Sequence, residues 1–258
     1  MRFQPTNLER AAIDPRLLRA RPRVVFVELT SRCNVRCIYC PVSLPEYVGR
    51  DLEFELEQLV DVLRRCAPHE VQLNGHGETT MLAHWTGVAK RLLAEGLPLT
   101  LTTNLAKRMS DEECDVLGRL RSLKVSLDSA DAELLEKLRR GVRLARVEDN
   151  LARIFERCRE QRRDPPFLQL SCAASDVAVE GLPDLVRWAA AHGARSVDLV
   201  NFVRHEAPPD TLPLRHPSAG DPRRALARLE EARSVAADLG LAMSVEQGLI
   251  DALEDACV

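Results

Sequence analysis

The chain has 258 residues, 45% hydrophobic and 29% charged, with a formal net charge of −3 and eight cysteines. That length is long for one ordinary domain but within the range of a single α/β barrel, and the balanced charge gives no pull toward nucleic acid or anionic membranes. No apolar run approaches the ~18 to 20 residues needed to span a bilayer. The arginine-studded N-terminus lacks the apolar core of a secretory signal, so a cytoplasmic location is expected, where cysteines serve as ligands or buried thiols rather than disulfides.

From Val24 onward, short β-branched runs alternate with amphipathic ones, the pattern of βα units around a parallel sheet. Strands are predicted at Val24–Leu29, Glu70–Leu73, Leu99–Thr103, Leu123–Leu127, Phe167–Ser171 and Ser196–Val200. Helices are predicted near Glu53–Cys66, His84–Glu95, Asp111–Arg119, Val147–Arg162, Leu182–His192 and Arg223–Leu239. Strict alternation of six and six describes an α/β fold of the partial (β/α)6 barrel type. The punctuation agrees: Ser110 with Glu113 is a capping-box start, and Gly96, Gly193 and Gly240 stand where helix C-caps are expected. The proline- and charge-rich stretch 205–221 reads as a surface loop or a lid. Residues 1–22 form a lead-in and 23–240 the barrel; 241–258 read as the start of a truncated C-terminal extension.

In parallel α/β barrels, polar residues at the C-terminal strand ends face the mouth where ligands bind. Four ends carry such clusters here. After the first strand comes Cys33-Asn34-Val35-Arg36-Cys37-Ile38-Tyr39-Cys40, three thiols within eight residues. After the second comes Asn74-Gly75-His76-Gly77-Glu78-Thr79; the third ends in Thr102-Thr103-Asn104 and the fourth in Ser126 and Asp128. Structural zinc usually takes four protein ligands, and no second ligand pair lies nearby in sequence. Iron–sulfur clusters also prefer four thiolates, so three leave an iron with an open position for a small molecule. Cys33, Cys37 and Cys40 are therefore the expected metal ligands and the catalytic centre, with a zinc-binding scaffold as the plain alternative.

The remaining groups carry two readings each. Gly75 and Gly77 let backbone approach a ligand, and Glu78 can meet an ammonium group or merely favour a helix N-terminus. His76 reads as a loop histidine that shapes the site. In Arg139-Arg140-Gly141-Val142-Arg143 the choice lies between a solvated helix end and binding of a cofactor carboxylate, with Arg143 as the candidate. Cys66, Cys114, Cys158 and Cys172 fall in predicted helices and a strand, where a thiol behaves as a small hydrophobe.

The stretch Val27-Glu28-Leu29-Thr30-Ser31-Arg32-Cys33 through Cys40, with Gly-x-Gly-Glu after the second strand and Thr-Asn after the third, resembles the radical S-adenosylmethionine superfamily. It is most similar in style to the branch with a C-terminal SPASM or twitch extension, whose first ligand would be Cys257. The resemblance implies a [4Fe–4S] cluster on Cys33, Cys37 and Cys40, with S-adenosylmethionine on the fourth iron. It further implies reductive cleavage to a 5′-deoxyadenosyl radical, Tyr39 against the adenine, and Gly75, Gly77 and Glu78 at the methionine ammonium. Thr103 and Asn104 join this cofactor site, with Ser126 and Asp128 near the ribose or carboxylate. The implied partners are a one-electron donor such as a flavodoxin or ferredoxin and a substrate that is a peptide or, alternatively, a sugar, nucleoside or other small metabolite. Three departures stand out: Thr79 replaces a common proline, His76 a more usual glycine or small residue, and Leu105 a common glycine.

Overall fold

The computed structural model describes residues 21–201, 212–214 and 220–257. Most of the expected loop at 205–221, and all but the end of the expected lead-in, lie outside these residues. In chain order the elements are β1 (Val25–Phe26), β2 (Arg36–Cys37), α1 (Leu56–Cys66), β3 (Val71–Leu73), α2 (Trp85–Ala94), β4 (Leu99–Thr103), α3 (Asp111–Gly118) and β5 (Ser122–Ser126). They continue with α4 (Ala132–Leu138), β6 (Arg139–Arg140), α5 (Leu144–Glu160), β7 (Phe167–Ala173), α6 (Leu182–Ala191), β8 (Ser196–Val200), α7 (Pro222–Asp238), β9 (Ala242–Val245) and α8 (Gln247–Asp255).

Seven strands form one parallel sheet in the order β1-β3-β4-β5-β7-β8-β9, open between β1 and β9. This is a partial barrel of the expected α/β class, with one strand more than predicted. Residues 242–245, where an extension was expected to begin, pair with β8 in register Ser196↔Ala242 to Leu199↔Val245. The alternation that marks a half-buried strand explains the sheet's outer face. Val71, Leu73, Leu99, Leu101, Leu123, Val125, Leu168, Leu170, Val197 and Leu199 are at most 3% exposed and meet the helices. Burying each such side chain is worth about 1.5–3 kcal/mol, and this face supplies much of the core.

Helix ends follow their local chemistry. Ser110 and Glu113 make the expected capping box on α3, with Glu113 N donating to Ser110 Oγ at 3.2 Å and Ser110 N to Glu113 Oε2 at 2.8 Å. Gly96, Gly193 and Gly240 take left-handed conformations just past α2, α6 and α7. Cys114, Cys158 and Cys172 are buried free thiols and Cys66 is half-buried.

A second, two-stranded sheet matters more for the site than its size suggests. β2 and β6 pair antiparallel, Arg36↔Arg140 and Cys37↔Arg139, so the cysteine loop is stapled to the segment leaving α4. Among the described residues, no helix is long and apolar enough to cross a membrane.

Candidate active site

The loop leaving β1 is braced before any ligand is considered. Thr30 Oγ1 donates to Asp51 Oδ1 at 2.7 Å, Arg32 pairs with Asp51 at 3.1 Å, and Tyr47 donates its hydroxyl to Ser31 O at 3.0 Å. Ser43 Oγ donates to Cys37 O at 2.7 Å, and Ile38 N to Leu138 O at 3.0 Å. Thiols at Cys33, Cys37 and Cys40 thus hang from a backbone held on both sides.

On one side stands the loop after β3. Glu78 N donates to Arg32 O at 2.8 Å, and a Cβ at Gly77 would lie 2.4 Å from the carbonyl oxygens of Thr30 and Arg32. Only glycine fits between these strands' exits. At Gly75 a Cβ would meet the Glu28 carboxylate, which accepts from His76 N at 2.6 Å and faces the His76 ring at 3.5 Å. Glu78 itself is 3% exposed. Its Oε1 accepts from Thr80 N (3.2 Å), Thr80 Oγ1 (2.8 Å) and Thr103 Oγ1 (2.8 Å), and its Oε2 from Asn104 N (2.8 Å). All four donors are neutral, and among the described residues no cation pairs with it. Burial pushes its carboxyl above the ordinary range, while the four hydrogen bonds oppose that shift.

Asn104 carries this grip across to the thiols. Its Nδ2 lies 3.8 Å from Cys33 Sγ and donates to Asn34 Oδ1 at 2.9 Å. Leu105 follows at φ +48, in the left-handed region, with its side chain fully buried. The common glycine of the resemblance is thus replaced by a residue that keeps glycine's conformation. Thr79 opens a short 3-10 turn, Thr79–Met81, at the first-turn position where proline is also accepted, and donates Oγ1 to Leu73 O at 3.1 Å.

On the other side stands Asp128, 1% exposed just beyond β5. Oδ1 accepts from Arg139 Nη2 at 2.8 Å and Ala173 N at 2.9 Å, and Oδ2 from the Tyr39 hydroxyl. Arg139 stands over the Tyr39 ring at 5.6 Å and places Nη1 3.8 Å from Cys37 Sγ. Burial opposes the guanidinium's charge, and Asp128, Tyr39 and Cys37 more than restore it.

Arg139, not singled out above within its basic run, is therefore the buried member. Arg143 is exposed at the start of α5 and forms no hydrogen bond to either side of the site among the described residues. Ser126 is half-buried at the end of β5, in register with Ser171. Gly141, where the chain turns at φ +100 against Asn34 and Val35, marks a bend, but Arg139 and Arg143 lie equally far from it in sequence, so it does not tell which of them is buried. Burial raises the Cys33 thiol and pushes Cys37 up to about 12, so these two metal-free thiols stay protonated at neutral pH and metal must displace their protons. Among the described residues, no three His, Cys, Asp or Glu side chains converge as a single metal ion requires.

Residues 27–161 match the Radical SAM superfamily. The chain belongs to the radical SAM superfamily. Enzymes of this superfamily use a [4Fe–4S] cluster and S-adenosylmethionine, the cofactors expected from the cysteine loop. GTP 3′,8-cyclase of Rhodococcus opacus (strain B4) is 30% identical over 182 residues, 66% of this chain and 49% of that protein. The GTP 3′,8-cyclase of Rhodopirellula baltica is 32% identical over 138 residues, 50% of this chain and 38% of that protein. Among solved structures, Streptococcus suis SuiB bound to S-adenosylmethionine superposes with a TM-score of 0.70 at 16% identity, covering 90% of this chain and 52% of SuiB. The anSMEcpe enzyme with bound AdoMet gives 0.63 at 14%, covering 86% of this chain and 63% of anSMEcpe. These structures share the fold, and this radical SAM chain spans about half the length of the curated relatives it matches.

Proposed function

We propose that this chain is a radical SAM enzyme acting on a compact polar metabolite. Cys33, Cys37 and Cys40 hold the cluster, and Glu78 with the Gly75–Gly77 turn receives the ammonium end of S-adenosylmethionine. When bound, the cluster and S-adenosylmethionine supply a 5′-deoxyadenosyl radical that takes hydrogen from the substrate. A one-electron donor such as a flavodoxin or ferredoxin serves the reductive step.

The observation that carries this reading is Glu78. A carboxylate 3% exposed, with neutral donors alone among the described residues, carries a desolvation cost that an arriving cation would offset. The donor set supports it too, since three thiols on one braced loop leave a cluster one ligand short. Tyr39 is fixed by Asp128 and Arg139, ready to lie along a flat ring. Asp128 has both oxygens engaged, so it orients Tyr39 and Arg139, while half-buried Ser126 keeps its hydroxyl for the ribose or carboxylate.

The small-molecule substrate is favoured by relatives at 30% and 32% identity that act on a nucleotide by name. The expected peptide substrate is supported only by shared fold, through SuiB with its precursor peptide SuiA at 17% identity. Anaerobic reconstitution tests the proposal. It should yield about four irons per chain and 5′-deoxyadenosine on reduction with S-adenosylmethionine. A folded protein that takes up zinc and forms none overturns it.

A further inference from the structure

Strand parity gives the sheet two unlike faces. Opposite the apolar, helix-covered face stand Gln72, in register with Thr100, the row Thr102–Lys124–Gln169, and the pair Ser171–Asp198. Hydrogen bonds along this face agree with the parity: Gln72 Nε2 to Thr102 Oγ1 at 3.1 Å, Ser122 Oγ to Gln169 Oε1 at 3.0 Å, and Ser244 Oγ to Asp198 Oδ1 at 2.8 Å. In a closed barrel the interior is packed with side chains. Here Thr102, Lys124, Gln169, Ser171 and Asp198 are each partly exposed, so the lumen admits solvent. Deeper in it, Thr100 Oγ1 and Ser196 Oγ are buried with no hydrogen-bond partner, positions that water or ligand ordinarily satisfies.

Lys124 is the one basic side chain among the strand residues of this face. No carboxylate pairs with it among the described residues. The nearest acidic residue on the lumen strands, Asp198, is two strands away and two residues further along, roughly 12 Å by strand spacing and rise, and is engaged by Ser244. Thr102 and Gln169 flank Lys124 in register. It lies two residues below Ser126, about 7 Å toward the lumen floor by strand rise. An ammonium partly withdrawn from water, with no carboxylate beside it among the described residues, favours an incoming anion, and its neighbours can hydrogen-bond that anion's oxygens.

We infer that Lys124, flanked by Thr102 and Gln169, anchors an anionic group, carboxylate or phosphate, of the small-molecule substrate. The inference rests on the proposed placement of S-adenosylmethionine at the strand ends above, and it adds the substrate's chemical class. The whole chain is titrated with inorganic phosphate and, separately, with succinate, following ligand signals by NMR. Binding of at least one probe should weaken at least tenfold in Lys124→Met and persist in Lys124→Arg. In the unaltered protein, the same probe should slow acylation of Lys124, read by mass spectrometry, so the result does not depend on a variant folding. Protection by phosphate alone or by succinate alone supports the site and tells its source. Equal affinity in Lys124→Met, no binding of either probe, or protection by an acidic peptide only overturns it. Iron content and S-adenosylmethionine binding, measured on the same preparations, fail separately if the radical reading is wrong.

Discussion

Two buried carboxylates grip the cysteine loop, and they are solved differently. Asp128 is paired with Arg139 and capped by Tyr39 and Ala173 N, so its charge is already matched by a counter-charge, while Arg139 Nε is buried with no hydrogen-bond partner among the described residues. Glu78 is equally buried, but among the described residues its carboxylate meets only Thr80, Thr103 and Asn104. The first side reads as a finished strut against Cys37. The second is a strut against Cys33 and also an anion with no cation beside it among the described residues, the reason we propose that it receives the cofactor's positive end. Two sides with the same residue class thus separate into a positioning role and a receiving role through their counter-charges alone.

The comparison breaks most visibly on the paired side. Arg139→Met leaves Asp128 buried without its cation and should cost about 3–5 kcal/mol in urea unfolding, as broken buried pairs do; a loss under about 1 kcal/mol would mean that the pair is solvated. Next is Gly77→Ala, whose Cβ would sit 2.4 Å from two carbonyl oxygens. It should cost about 1–3 kcal/mol and lower iron uptake on reconstitution, whereas normal iron content would show that the loops can part freely.

On the receiving side, Glu78→Gln turns an acceptor toward the Asn104 N–H into a donor, at about 1–3 kcal/mol. Its pH signature is sharper than its size. Because burial raises the Glu78 carboxyl above 4.5, the folded chain holds that proton more tightly than the unfolded one. Stability should therefore fall as pH climbs from 4.5 into the raised range, and Glu78→Gln should flatten that segment of the curve. The smallest effect is at Leu105. Replacement by alanine and by glycine both empty a fully buried site, but glycine also relieves the φ of +48. Leu105→Gly should thus be more stable than Leu105→Ala by about 1 kcal/mol, inverting the usual order.

Much of this was legible in advance where a period or a cluster spoke. The runs Leu99–Thr103 and Ser196–Val200 alternate clearly and were placed to the residue. Ala242–Val245 was not, since Ala-Met-Ser-Val offers one β-branched residue and its strand character comes from pairing with β8. Helix α4, seven residues long, is too short to show a period. Without the end of α4, the β2–β6 pairing could not be foreseen, nor that Arg139 rather than Arg143 turns inward. Cys33, Cys37, Cys40 and Glu78 stood out because their spacing is local; the Tyr39–Asp128 contact spans 89 positions of sequence and is decided by the fold.

The most direct test of the central claim is an anaerobic titration of S-adenosylmethionine into the reduced, reconstituted protein, followed by electron paramagnetic resonance. An iron left open by three cysteines predicts a cluster signal that changes as the cofactor binds, with Glu78→Gln needing at least tenfold more cofactor for the same change. A signal indifferent to S-adenosylmethionine, or one that responds equally in Glu78→Gln, would contradict the account.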